Sequence, residues 1–207
     1  HIACPVMTSQ AMIRNLSANE AESDVVLLEL LRHGDTRAFE QLFQRHYIPV
    51  YRVLYHLFGQ REEAEDIAQE TFLTLYHHPP SGSGIQLLGW LCRVALNRGY
   101  NTLRSQRRAD RHALQLGNLT AHIDVPDPAS ELLRAEERAH VRTTLAAMPE
   151  RQGRMLLLRY AGLSYAEIAA ALEIAPGSVG TLLARAERAF LEVYRQRFGT
   201  VPEESTP

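Results

Sequence analysis

Cysteine is scarce, with two residues, Cys4 and Cys92, among 207. They are too few and too far apart for a disulfide framework or a four-ligand zinc site. Cys4 therefore reads as a free thiol in a disordered arm, and Cys92 as a small apolar filler inside a helix. No apolar run approaches the ~20 residues needed to cross a bilayer, so no membrane insertion is expected. The opening "HIACPVM" is too short for a secretory signal and lacks its flanks, and a cytoplasmic location is expected. Neither sign of charge dominates: 22 basic residues against 24 acidic ones leave a formal net charge of -2. That excludes a uniformly basic nucleic-acid coat but permits charge segregated along the chain.

A catalytic constellation is also missing. The nine histidines are scattered, His77 and His78 have no acid or cysteine at ligand spacing, and no glycine-rich phosphate loop follows a strand. No enzyme activity, metal or cofactor is expected.

Helical periodicity, by contrast, is present over most of the length. Phe39, Leu42, Phe43, Tyr47, Val50, Tyr51, Leu54, Tyr55 and Phe58 recur at steps of three and four and end at Gly59. Ala64, Ile67, Ala68, Thr71, Phe72, Leu75 and Tyr76 form a second stripe, stopped by "HHPPSGSG". Leu87, Leu88, Leu91, Val94, Ala95 and Leu103 form a third, which Gly89 and Gly99 are expected to weaken, with a break between Asn97 and Tyr100. Periodicity lapses around "HIDVPDPAS", then resumes in "ELLRAEERAHVRTTLAAM", which Pro149 closes, and in "ERQGRMLLLRYAG", which ends at Gly162. Ser164 and Glu167 have capping-box spacing, and Pro176 with Gly177 separates the last two helices. No strand pattern competes. The expected fold is all-α, with a disordered arm at 1–22, a helical domain at 23–112, a flexible linker at 113–130, a second helical domain at 131–198 and a disordered tail at 199–207.

Three segments carry candidate chemistry. Arg93, Arg98, Arg104, Arg107, Arg108 and Arg111 stand against Asp110 alone and are interleaved with Asn97, Tyr100 and Asn101. Guanidinium groups on one helical flank neutralise phosphates, while Asn and aromatic side chains meet base edges and faces. "REEAEDIAQE" gathers Glu62, Glu63, Glu65, Asp66 and Glu70, which suits docking onto a basic protein surface. Finally, Tyr165, Ile168, Ala169, Leu172, Ile174, Val179, Leu182 and Leu183 have the core spacing of a helix-turn-helix. The residues alone leave open a helix-turn-helix regulator that binds DNA on its own and a protein-interaction module with a degenerate helix-turn-helix.

In order and spacing, "DTRAFEQLFQRHYIPVYRVLYHLFG", "REEAEDIAQETFLTLY", "LLGWLCRVALNRGYNTLRSQRR" and "LAAMPERQGRMLLLRYAGLSYAEIAAALEIAPGSVGTLLARAERAF" resemble an extracytoplasmic-function sigma factor of bacteria. The resemblance covers about residues 24 to 198. It implies a promoter-specificity subunit whose first domain binds the β′ clamp helices of RNA polymerase and opens the minus-10 element. The second domain would read the minus-35 element, with the polymerase β flap as a further partner and an anti-sigma factor as regulator. By position, Asp66, Gln69 and Glu70 become polymerase contacts. Asn97 becomes a base contact, with Arg98, Asn101, Arg104, Arg107 and Arg108 along the DNA. Trp90 matches a tryptophan that packs in the core.

The recognition helix departs from the family pattern "GTVKSRLxRA". Gly180 replaces the usual cation and Leu182 replaces an arginine, while Glu173 stands at the turn where glycine is frequent. Ser178, Gly180, Thr181, Arg185 and Arg188 remain as DNA contacts, with Arg154 and Arg159 in the preceding helix expected to help.

Overall fold

The computed structural model describes residues 24–82, 84–115 and 130–199. The expected arm, most of the expected linker and nearly all of the tail lie outside them. Among the described residues the regular structure is entirely helical. Helix α1 covers residues 24–32, and α2 (Thr36–Phe58), α3 (Arg61–His77) and α4 (Leu87–Gln115) complete the first half. Helices α5 (Ser130–Ala147), α6 (Glu150–Tyr160), α7 (Tyr165–Leu172) and α8 (Val179–Phe198) form the second, with a single 3-10 turn at Pro176–Ser178 before α8.

Local chemistry sets the helix ends. The Asp35 carboxylate accepts from the Arg37 amide at 2.8 Å, and Gly59 closes α2 in the left-handed region at φ 76°. Ser164 and Glu167 form the expected capping box at the start of α7. Buried against one another are Leu42, Val50, Leu54, Ala68, Phe72, Leu75 and Leu91 in the first half. In the second half Leu158, Leu163, Ile168, Val179 and Leu183 do the same. Asp24 fastens α1 to α2: it is buried, faces His46 Nε2 at 2.8 Å and pairs with Arg45.

Three sequence expectations are corrected. Helix α4 does not break between Asn97 and Tyr100 but runs unbroken to Gln115, into the segment expected to be linker. Its glycines mark close approaches instead. A Cβ on Gly89 would stand 2.7 Å from the Glu167 carbonyl oxygen of α7, and one on Gly99 would stand 2.7 Å from Leu57 Cδ2 of α2. Tyr76 is exposed rather than core-facing, its ring edge-on to Phe39 with centroids 5.2 Å apart. Tyr165 likewise stands outside the core at 46 % exposure, because it is the first residue of α7, where the chain enters from solvent.

Gly89 also shows that the two halves are packed together. Helix α7 lies along α4, α6 meets α2, and one continuous buried cluster runs from Leu27 to Leu183.

Candidate nucleic-acid interface

The buried stripe of α3, Ala64, Ile67, Ala68, Thr71, Phe72 and Leu75, turns the opposite face outward. Asp66, Gln69 and Glu70 are all exposed there, and Leu73, at 55 % exposure, lies beside them. Sequence reasoning missed Leu73. The signal was available, because an apolar residue one turn from Gln69 and Glu70 falls outside the buried stripe. Glu65 and Glu63 are partly drawn away from this acidic surface, Glu65 by Arg61 at 2.7 Å and Glu63 by Gln106 of α4 at 2.8 Å.

On α4, Asn97, Asn101, Arg104 and Arg108 are exposed at successive steps of four, three and four, so they share one face. Half of the arginines in this stripe meet an acid from outside α4. Arg98 bonds Glu70 Oε2 and Thr74 Oγ1, each at 2.9 Å, joining the basic stripe to the acidic face of α3. Arg104 pairs with Glu150 and donates to Asn101 Oδ1 at 2.9 Å. Arg93 pairs with Glu173. Arg107, Arg108 and Arg111 are exposed and form no ion pair among the described residues.

Where the two halves meet, Arg154 of α6 donates to Asn97 Oδ1 at 2.6 Å, pairs with Glu150 at 2.6 Å and lies over the Tyr100 ring, 4.8 Å from its centroid. Burial pushes the Tyr100 phenol up to about 12, with the Arg154 cation acting in the opposite direction. The groove here, about 430 Å³, is lined by Arg93, Asn97, Glu150, Arg154, Leu172 and Glu173, among others. Arg154 therefore does not stand with the recognition helix as the sequence suggests; it faces the first half. Glu173 holds the turn in the left-handed conformation at φ 54°, so the helix-turn-helix geometry is kept without glycine.

At the start of α8 the side chains are small. The Ser178 hydroxyl donates to the Ala175 carbonyl at 2.7 Å, and Gly180 is half-buried beneath Tyr165. Thr181, Arg185 and Arg188 are exposed along one face at helical spacing. Arg188 donates to the Ala184 carbonyl at 3.2 Å, while Arg185 pairs with no acid among the described residues. Cys92 is fully buried in α4, where burial pushes its thiol well above the usual range, so it acts as core filler. Trp90 is partly buried against the core. Among the described residues no group of His, Cys, Asp and Glu could hold a metal, and no single helix is long and apolar enough to cross a membrane.

Comparison with known proteins falls on the same elements. The family model for sigma-70 region 2 matches residues 42–109, spanning α3 and the basic stripe, and that for sigma-70 region 4 matches residues 138–190, spanning the helix-turn-helix. The RNA polymerase sigma-H factor of Pseudomonas aeruginosa is 30% identical over 185 residues, covering 81% of this chain and 92% of that protein. The ECF RNA polymerase sigma-E factor of Escherichia coli is 31% identical over 180 residues, covering 83% of this chain and 94% of its own length. Among solved structures, CnrH in complex with the cytosolic domain of CnrY shares the fold with a TM-score of 0.61 at 19% identity, covering 84% of this chain and 99% of that one. Two sigma-70 regions in the family order, joined by relatives alike over nearly their whole length, make this chain a member of the extracytoplasmic-function sigma-70 family, the alternative sigma factors that direct RNA polymerase to promoters.

Proposed function

We propose that this sigma factor divides its work between residues 23–112, which hold core polymerase and open the minus-10 element, and residues 131–198, which place the complex on the minus-35 element. Asp66, Gln69 and Glu70 contact the β′ clamp helices. The exposed acids give charge complementarity and Leu73 gives an apolar contact beside them. Asn97 and Asn101 meet unpaired bases while Arg98, Arg104, Arg107 and Arg108 follow the backbone. Ser178, Gly180, Thr181, Arg185 and Arg188 face the minus-35 groove, with the β flap holding the second domain in place. The protein makes no covalent change to a substrate and works in the cytoplasm, where polymerase is. An anti-sigma factor is its regulator; the structural relatives with TM-scores of 0.61 and 0.53 are CnrH in complex with the cytosolic domain of CnrY and the sigma factor RpoE in complex with the anti-sigma factor NepR from Bartonella quintana.

The observation that carries this reading is the common face of Asn97, Asn101, Arg104 and Arg108 beside the acidic face of α3, bridged by Arg98 and Glu70. In the packed arrangement Arg154 and Glu150 occupy Asn97 and Arg104, so DNA capture exchanges these contacts for bases and phosphates. Glu70→Arg tests the polymerase contact. Because the Glu70–Arg98 pair is exposed, its loss leaves the fold intact, while polymerase affinity falls about 100-fold. Co-purification with core polymerase at the wild-type level would refute the assignment.

A further inference from the structure

One corner of the contact between the two halves is built from cations without an anion among them. Near the end of α2, Arg52 and His56 stand four residues apart, on one flank of the helix. His56 is half-buried and meets Tyr160 of α6, with ring centroids 4.6 Å apart and planes at 85°. Helix α5 adds Arg142, whose guanidinium lies over Gly59 at the end of α2, with Arg138 one turn before it. None of Arg52, Arg138 and Arg142 pairs with an acid among the described residues. The other neighbours of this helix end supply no counter-charge. Helix α4 meets it through Gly99 against Leu57 and Phe58. On α3, Arg61 and Glu65 are paired with each other and stand by Tyr47 and Tyr51, further back along α2.

A neutral imidazole packs in this corner at little electrostatic cost. An imidazolium would be a further positive charge in a partly dehydrated place, and Tyr160, at 77 % exposure, is too open to water for its ring to compensate. Burial, and next the Arg52 cation, accordingly hold the His56 pKa below 6.5. When the halves part, His56 is wetted and the α5 arginines leave it, so the separated form binds the proton more readily. By linkage the packed form is favoured above pH 6.5 and loses ground as pH falls below it. Packing also decides what α4 offers, because Arg154 and Glu150 hold Asn97 and Arg104 only while the halves are together. We propose that His56 is a proton switch on the packing of the two halves: acid releases the second half from α2 and so frees Asn97 and Arg104 of α4 for DNA. The consequence for DNA rests on reading α4 as the minus-10 surface, whereas the switch itself does not.

The test uses the full chain, free of polymerase, at pH 7.5 and 5.5. Single-molecule fluorescence transfer between dyes on the two halves counts packed and separated molecules. Fluorescence anisotropy follows a single-stranded oligonucleotide that carries the minus-10 sequence of a promoter defined by run-off mapping. The ratio of separated to packed wild-type molecules is expected to rise about threefold to tenfold on acidification, as a group of ordinary pKa 6.5 in the separated form allows. Oligonucleotide affinity should rise in step, measured against His56→Gln at the same pH. His56→Gln should hold its ratio at both pH values, and His56→Arg should be separated at both. Arg52→Glu, which puts a carboxylate one turn from His56, should shrink the response. A wild-type ratio that does not move with pH, a response that survives in His56→Gln, or one that Arg52→Glu leaves unchanged would overturn the inference. A ratio that rises without any gain in oligonucleotide affinity would leave the switch standing and remove instead the minus-10 reading of α4.

Discussion

The two surfaces assigned to DNA are built on opposite plans. Helix α4 is rich in arginine, but Arg93, Arg98 and Arg104 are each matched by a glutamate from outside it, and Asn97 is held by Arg154. Helix α8 carries arginine at much the same density, in Arg185, Arg188, Arg195 and Arg197, but none of these meets an acid among the described residues, and Thr181 stands open one turn before Arg185. Charge counted along a sequence therefore overstates what α4 presents in the packed arrangement but not what α8 presents. The difference also suits the division of work. On the proposed reading the α4 surface is engaged only after polymerase has placed it, and exposed pairs worth roughly 0–1 kcal/mol each can exchange for phosphates readily. The reading helix needs no such release.

The comparison breaks most completely at Gly89. Any larger residue there collides with the α7 backbone, so Gly89→Leu is expected to separate the halves while α4 gains helix propensity of up to ~1 kcal/mol. Small-angle scattering should show a larger radius of gyration at unchanged helical content; an unchanged radius would mean that α4 and α7 do not need this contact. A milder change, Arg154→Ala, frees Asn97 and leaves Glu150 to Arg104 alone. Open-complex formation by holoenzyme should rise about twofold to fivefold, since the lost hydrogen bond is worth ~1 kcal/mol, and a fall would show that Arg154 assists DNA capture directly.

The smallest expected effect is set by pH. His56 meets Tyr160 across the halves with ring centroids 4.6 Å apart, and burial, followed by the Arg52 cation, lowers its pKa below 6.5. A lowered histidine favours the neutral form when packed, so its contribution is present above pH 6.5 and is lost as pH falls below that value. Interdomain fluorescence transfer should weaken slightly between pH 7 and 5.5, and His56→Gln should flatten the change.

Much of this was legible from the residues. Amphipathic spacing located α2, α3 and the second-half helices, and the Ser164 and Glu167 pair marked the start of α7, because these signals are local. The break expected in α4 failed because Gly89 and Gly99 answer to neighbouring helices rather than to their own. Tyr165 had core phase, but phase alone does not say that the first residue of a helix faces solvent. The pairing of the basic stripe was beyond any window of sequence: its acid partners lie 28, 46 and 80 residues away. The candidate residues themselves were found by motif, and what sequence could not show is which are already engaged.

Permanganate reactivity of unpaired thymines in holoenzyme on a cognate promoter tests most directly whether α4 opens the DNA. With Asn97→Ala, polymerase binding should persist while reactivity at the minus-10 element falls about 10-fold to 100-fold, the discrimination expected of one base-contacting Asn. Wild-type reactivity in that variant would contradict the role given to α4.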